Sequence, residues 1–289
     1  MKTIPNRIFY AWFGEKKPAM VNICIQNWRE KMPGYELIEI NEKSPYFNFQ
    51  EAYENCEWFR TVYDRKMWAF VADYARCKVL YDYGGIYLDT DITICKNLST
   101  LNKYDFCCGE EKKGLISVGV FICKPKYKLL KDMLDFYQNE IFKSPLYTIP
   151  AIMTYLITKN KYENLKIYPR EYFYPYYPFE PYFEDFSPEC ITPETYTIHW
   201  WNASWVNDEN YTFLTTKHIE KEKVQIVKRS VLSYKLFSFV PIYSRKVKNG
   251  RINYSIFNIP LFKVRKMSDN FTTKYYILGL LVLQIRKRQ

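Results

Sequence analysis

A chain of 289 residues is long enough to bury a substantial core, as one large domain or two smaller ones. Its formal charge of +11 sits at one end: residues 217–289 hold 17 Lys and Arg against 3 Asp and Glu, whereas residues 1–216 hold 25 against 28. The body is therefore near neutral, and an anionic partner, membrane or nucleic acid, concerns the tail alone, with a solvated basic extension as the alternative.

The opening residues, MKTIPNRIFYAWFG, place polar and charged groups too early for a secretory apolar core. Residues 4–12 predict a strand ending at Gly14, and residues 19–31 predict a helix with Val21, Ile25 and Trp28 on one face. Pro33-Gly34 punctuates the chain before a second strand over 35–40, so a parallel α/β unit is expected. The clearest helix is predicted over 64–82, stopped by Gly84-Gly85 and followed by a strand over 86–88. Further strands are expected at 104–108, 115–123 and 195–200, helices at 127–142 and 148–159, and a Pro- and aromatic-rich loop at 166–189. Eight cysteines include no CxxC pair and read as free, mostly buried thiols, which suits a cytoplasmic protein.

The tail contains a repeat. Tyr234-x-Leu-Phe, Tyr254-x-Ile-Phe and Tyr275-x-Ile-Leu each open an apolar run that ends in Arg-Lys, at offsets of 20 and 21 residues. Each unit reads as one β-like run with a basic end, in a module spanning 217–289 beside a body spanning 1–216. Its longest apolar run, from 275 to 285, is short of the ~20 residues of a membrane-spanning helix.

Chemistry concentrates in Phe70-Val-Ala-Asp73-Tyr-Ala-Arg76 and Tyr83-Gly84-Gly85-Ile86-Tyr87-Leu88-Asp89-Thr90-Asp91. Two Asp at i and i+2 past a strand can set both carboxylates beside one hard divalent cation. A lone DxD is weak evidence, because two solvated acids in a loop look the same. The preceding helix, double glycine and apolar strand reverse that balance.

These strings, with Trp12-Phe-Gly and Ile198-His199-Trp200-Trp201-Asn202-Ala203-Ser204-Trp205, resemble the family-32 glycosyltransferases over roughly residues 1–210. YGGIYLDTD is the most specific part of the likeness. It implies a GT-A (Rossmann-like nucleotide-sugar-binding) α/β fold, a Mn²⁺ or Mg²⁺ ion, and transfer of sugar with retention from a nucleotide-sugar donor, UDP-sugars being favoured over GDP-sugars. The implied acceptor is a glycan or lipid-linked oligosaccharide in cell-surface polysaccharide synthesis.

Carried onto this chain, the resemblance makes Trp12 the ring that stacks on the donor base, with core packing as the alternative. Asp73 and Arg76 would contact the donor sugar and diphosphate, although their i, i+3 spacing also suits a helix ion pair. Tyr87 would touch the donor or pack under the strand. Asp89 would meet ribose and sugar hydroxyls, and Asp91 would ligate the metal. His199, one of two histidines in the chain, would help hold metal or diphosphate, with a buried structural role as the alternative. Ser204 and Trp205 would close over the diphosphate, and Trp200 stands where many members have a second His. The aromatics of 168–175 read as a Pro-pinned core loop before an acceptor platform.

Rival functions are a metal-dependent phosphotransferase or hydrolase, which should bring a phosphate-cradling Gly loop, and a non-catalytic sugar-binding protein. Nucleic acid is not an expected partner. The basic repeats are expected to meet an anionic membrane surface, which would make the enzyme peripheral on the inner face of the cell membrane.

Overall fold

A computed structural model describes residues 3–14, 16–179, 184–202 and 213–214, together with the backbone of the strands between 231 and 286. The chain separates into two compact units, Met1–His218 and Ile219–Gln289.

The first unit is built on a mixed sheet. Strand β1 (Arg7–Ala11) pairs in parallel with β2 (Glu36–Ile40) and with β3 (Gly85–Leu88). A parallel neighbour needs a crossover. The first crossover is α1 (Ala19–Lys31); the second runs through α2 (Phe49–Asn55), α3 (Glu57–Asp64) and α4 (Trp68–Tyr83). After β4 (Ile92–Ile94), strands β5 (Phe106–Lys112), β6 (Leu115–Ile116) and β7 (Val120–Cys123) extend the sheet in the order β2-β1-β3-β7-β5-β6. Here β7 runs antiparallel to both β3 and β5. Helices α5 (Lys128–Asn139) and α6 (Ile149–Lys159) precede β8 (Leu165–Tyr168), which lies parallel to β5, and β9 (Thr197–His199) pairs with β4. All four residues of β3 and of β7 are buried, as strands covered on both faces require. One core, around Trp58, Phe59, Phe70 and Phe121, fills one face; a second, around Trp28, Ile86, Val120 and Tyr174, fills the other. The α/β class expected from the sequence is thus observed.

Helix α4 ends where the double glycine predicts. Gly84 takes φ +62° and its N–H returns to the Leu80 carbonyl at 2.9 Å. A Cβ at Gly84 would lie 2.5 Å from the Pro125 nitrogen, and one at Gly85 2.9 Å from the Arg7 carbonyl, so both positions need the bare backbone.

Three expectations are corrected. The helix expected over 64–82 is α4 and starts only at Trp68, because Lys66 turns left-handed at φ 56° after α3 has ended at Asp64. The strand expected over 115–123 is broken at residues 117–119, where the backbone leaves the ladder to serve the site below. The loop expected over 166–189 opens with β8, whose pairing with β5 reaches back some 60 residues and has no local signal. Its aromatics do pack inward: Tyr168, Phe173 and Tyr174 are all buried.

In the second unit β10 (Val231–Leu236), β11 (Val240–Lys248), β12 (Arg251–Ile256), β13 (Ile259–Lys266), β14 (Thr272–Ile277) and β15 (Leu280–Arg286) form an antiparallel meander in chain order. Each repeat, expected as one β-like run, is a hairpin. The register shifts just after Tyr234, Tyr254 and Tyr275, the same tyrosine of each repeat. A recurring bulge at one repeat position is a built-in feature of the sequence, since bulges increase local twist.

Candidate active site

Three elements converge at the carboxyl end of β3. Buried in α4, Asp73 and Arg76 face the strand; β3 ends at Leu88 and releases Asp89-Thr90-Asp91; β4 then pairs with β9, bringing His199 opposite Ile92. Arg76 joins the first two. One nitrogen of its guanidinium (Nη2) lies 3.0 Å from both the Asp73 and the Asp89 carboxylates, while Nη1 donates to the Val118 carbonyl at 2.8 Å. The Tyr87 ring lies beneath the same guanidinium, 4.5 Å from its centre. With 1% of its surface exposed, Tyr87 acts as a floor for Arg76.

Asp91 is held from the other side. His199 Nε2 lies 3.0 Å from one carboxylate oxygen, and the Asn202 N–H donates to the other at 2.9 Å. The Trp200 main-chain N–H donates to the Asp91 main-chain carbonyl. Trp201 lies between these two donors with φ 54°, a left-handed value that is rare for a bulky residue. The bend turns the chain so that Trp200 and Asn202 grip the same aspartate.

Burial and charge set the ionisation of these groups. Burial raises the Asp73 carboxyl to about 7 against the pull of Arg76, and Asp89 adds to the rise. Burial would raise Asp91 too, but the positive charge and hydrogen bond of His199, with the Asn202 N–H, hold it below the ordinary carboxylate range. Burial opposes the charged form of His199, yet its attraction to Asp91 prevails and the imidazole is raised. Two buried nitrogens, Arg76 Nε and His199 Nδ1, have no hydrogen-bond partner among the described residues.

Oxygens of Asp89 and Asp91 and a ring nitrogen of His199 all lie within 4.8 Å of one another. Two carboxylates and an imidazole at this spacing fit one hard or borderline divalent cation. The sequence assigned Asp89 to sugar hydroxyls and left Asp91 and His199 to the metal; the structure brings all three together.

The trio opens into a cleft of about 1090 Å³. Trp12 lines it, its main-chain N–H tied to the Ile40 carbonyl at 2.9 Å, and also borders a smaller hollow of about 520 Å³ with Gly14, Lys16 and Asn41. Asp73, Arg76, Tyr87, Asp89, Asp91 and His199 line the same large cleft. Ser204 and Trp205 lie outside the described residues.

Several cleft residues escape a reading of the sequence. The Ser117-Val118-Gly119 bend forms the floor: Val118 receives Arg76, and the Gly119 carbonyl receives the Asp89 N–H at 2.9 Å. A Cβ at Gly119 would sit 3.1 Å from the Asp89 carboxylate. The signal was present, since a glycine inside an apolar strand pattern marks a bulge or a close approach. Glu111, on β5, also lines the cleft. Burial raises its carboxyl above the usual range, while the Ser117 side chain and the charge of His199 pull it back. Nothing in Gly-Glu-Glu-Lys-Lys separates Glu111 from a solvated hairpin.

Residues 18–107 match the glycosyltransferase sugar-binding region containing the DXD motif. Curated relatives include the lactosylceramide 4-alpha-galactosyltransferases of Pongo pygmaeus, 25% identical over 51% of this chain and 75% of that one, and of Mus musculus, 29% identical over 46% and 40%. The human counterpart is 24% identical, and the match spans 46% of its length. Among solved structures, PaToxG glycosyltransferase aligns with a TM-score of 0.45 at 16% identity, covering 55% of this chain and 69% of that one. The galactosyltransferase LgtC with donor and acceptor sugar analogues aligns at 0.40 and 12%, covering 74% and 96%.

Proposed function

We propose that the chain is a glycosyltransferase of the GT-A type, a reading supported by the match of residues 18–107 to a DXD sugar-binding region and by its relatives, with the following donor, metal and reaction course. The donor is a nucleotide sugar, a UDP-hexose before a GDP-hexose, with its base against Trp12 and its diphosphate beside Arg76 and the trio. Asp89, Asp91 and His199 would hold Mn²⁺ or Mg²⁺, which supplies positive charge to the departing diphosphate. The observation that carries this reading is the trio itself, three ligand atoms within 4.8 Å beside a buried guanidinium.

The acceptor hydroxyl attacks C1 of the donor sugar from the face that the diphosphate leaves. The bond from C1 to the diphosphate oxygen breaks, a new C1–O bond forms on that face, and the hydroxyl proton passes to the leaving oxygen. Retention follows without an enzyme nucleophile. The relatives' name, a 4-alpha-galactosyltransferase, favours this course, because an α-linked donor yields an α-glycoside by retention. Arg76 Nε has no hydrogen-bond partner among the described residues, so its N–H is a guanidinium donor left for a phosphate oxygen.

The product belongs to a cell-surface polysaccharide or a glycolipid. Among the described residues no helix is long and apolar enough to cross a membrane. A lipid-linked acceptor would then be reached by docking, for which the +14 charge of residues 217–289 is suited, on the inner face of the cell membrane. Incubation with UDP- and GDP-sugars and Mn²⁺ tests the reading: metal-dependent release of free sugar is expected, and Asp91→Ala with full turnover at saturating Mn²⁺ would overturn it.

A further inference from the structure

We infer that the acceptor is a pyranose, seated between the Glu111 carboxylate and a corner of three aromatic rings, Tyr177, Phe179 and Trp201. The inference rests on the glycosyltransferase reading and names the half of the cleft that the donor leaves over. Trp12 and Arg76 are the side chains proposed above for the donor; Glu111, Leu115, Tyr177, Phe179 and Trp201 line the same cleft and are not used in that proposal.

The corner is built of rings set at right angles, with Tyr177 buried at its back. Tyr177 and Phe179 stand nearly perpendicular to Trp201, at 84° and 87°, with ring centroids 5.2 and 5.7 Å away. Two walls meeting at a right angle can cover one face and one edge of a six-membered ring. Trp201 is fixed in place: its indole N–H donates to the Tyr176 carbonyl at 3.1 Å, and its backbone holds the left-handed bend. Phe179 is 37% exposed, a large apolar ring left open on a cleft wall.

Position ties the corner to the chemistry. The Trp201 ring centroid lies 4.2 Å from that of His199, so a sugar stacked there is adjacent to the metal trio. Glu111 lines the same cleft as His199. A pyranose presents an apolar face of C–H groups and a rim of hydroxyls. Aromatic plates meet the first, and a carboxylate accepts two hydrogen bonds from the second, so the pair reads both parts of the ring. Glu111 therefore positions the acceptor.

Methyl pyranosides of galactose, glucose, mannose and N-acetylglucosamine serve as acceptors in the test, with the nucleotide sugar that the full-length enzyme hydrolyses fastest. Glu111→Gln, which keeps shape and removes charge, and Phe179→Ala, at an exposed ring, are compared with the unaltered chain. Loss of one charged hydrogen bond predicts an acceptor KM raised about 10- to 100-fold for Glu111→Gln. The ratio of transfer to donor hydrolysis falls in both variants. A proportional fall in hydrolysis and transfer, with acceptor KM unmoved, would place both residues on the donor side and overturn the inference. So would donor hydrolysis by the unaltered enzyme with transfer to none of the pyranosides. Absence of both hydrolysis and transfer with every donor instead defeats the glycosyltransferase reading on which the inference stands.

Discussion

His199 and Asp91 are 108 residues apart in the chain and 3.0 Å apart in the fold, joined because β9 pairs with β4. The pairing makes the imidazole both a charge partner for the carboxylate and the third donor of the trio. A cation that displaces the proton between them would bind the folded state alone and stabilise it. At 100 times its Kd such a ligand contributes about 2.7 kcal/mol, which for a unit of this size raises Tm by roughly 5–10 °C. Mn²⁺ should therefore raise the melting temperature of the intact chain, and Asp91→Ala should abolish most of that rise. Differential scanning calorimetry with and without Mn²⁺ measures it, and an equal rise in the variant would place the ion elsewhere.

Arg76 cannot be replaced by lysine at low cost. Its planar fork reaches Asp73, Asp89 and the Val118 carbonyl at once, and a lysine ammonium is a single point charge on a flexible stem. Arg76→Lys leaves at least one buried acceptor short of a donor, which costs on the order of 2–4 kcal/mol. Turnover should fall by about 100-fold or more, because the same residue is the one proposed to meet the diphosphate. Steady-state kinetics and a circular-dichroism melt separate the two effects; turnover near that of the parent would show that Arg76 serves structure alone.

Asp73 gives the ligand-free protein a pH signature. Its carboxyl is raised to about 7 by burial, so the folded state favours the protonated form. A raised folded value contributes stability that is complete below the unfolded value, near 3.8, and is lost as pH climbs to about 7. Asparagine imitates the protonated acid at every pH. Between pH 4 and 7 the parent should lose stability relative to Asp73→Asn by on the order of 3 kcal/mol. Urea unfolding of both proteins across that range is the check, and a difference independent of pH would mean that Asp73 is ionised throughout, held by Arg76.

What the sequence could and could not reveal follows from the range of each interaction. Asp73, Arg76, Gly84, Gly85 and the two DxD aspartates lie within 19 residues, on one helix and the strand it feeds, so local pattern sufficed. His199 stood out as a rare residue, but its contact with Asp91 depends on a three-residue pairing too short to signal itself. Glu111 is one of two glutamates beside two lysines, and only the fold turns it into the cleft. The broken strand at residues 117–119 is the instructive difference, since β propensity reads Leu115 to Cys123 as continuous while Arg76 and Asp89 claim its backbone carbonyls.

The basic meander carries the remaining prediction. Residues 217–289 hold 17 Lys and Arg, and each basic group near an anionic leaflet contributes about 1 kcal/mol within a Debye length. Each hairpin repeat ends on an Arg-Lys pair, at Arg245-Lys246, Arg265-Lys266 and Arg286-Lys287, so charge recurs at one place in the repeat. The full chain should float with vesicles containing phosphatidylserine or phosphatidylglycerol at low salt. It should remain in solution with neutral phosphatidylcholine vesicles, or when the Debye length is cut to about 3 Å by 1 M salt. Replacing Arg245 and Lys246 with glutamine removes two charges, or about 2 kcal/mol, and should weaken vesicle binding roughly 30-fold. Binding that ignores both salt and these substitutions would mean that the meander serves packing or assembly, and that a lipid-linked acceptor, if used, is met by the cleft unit without help from the tail.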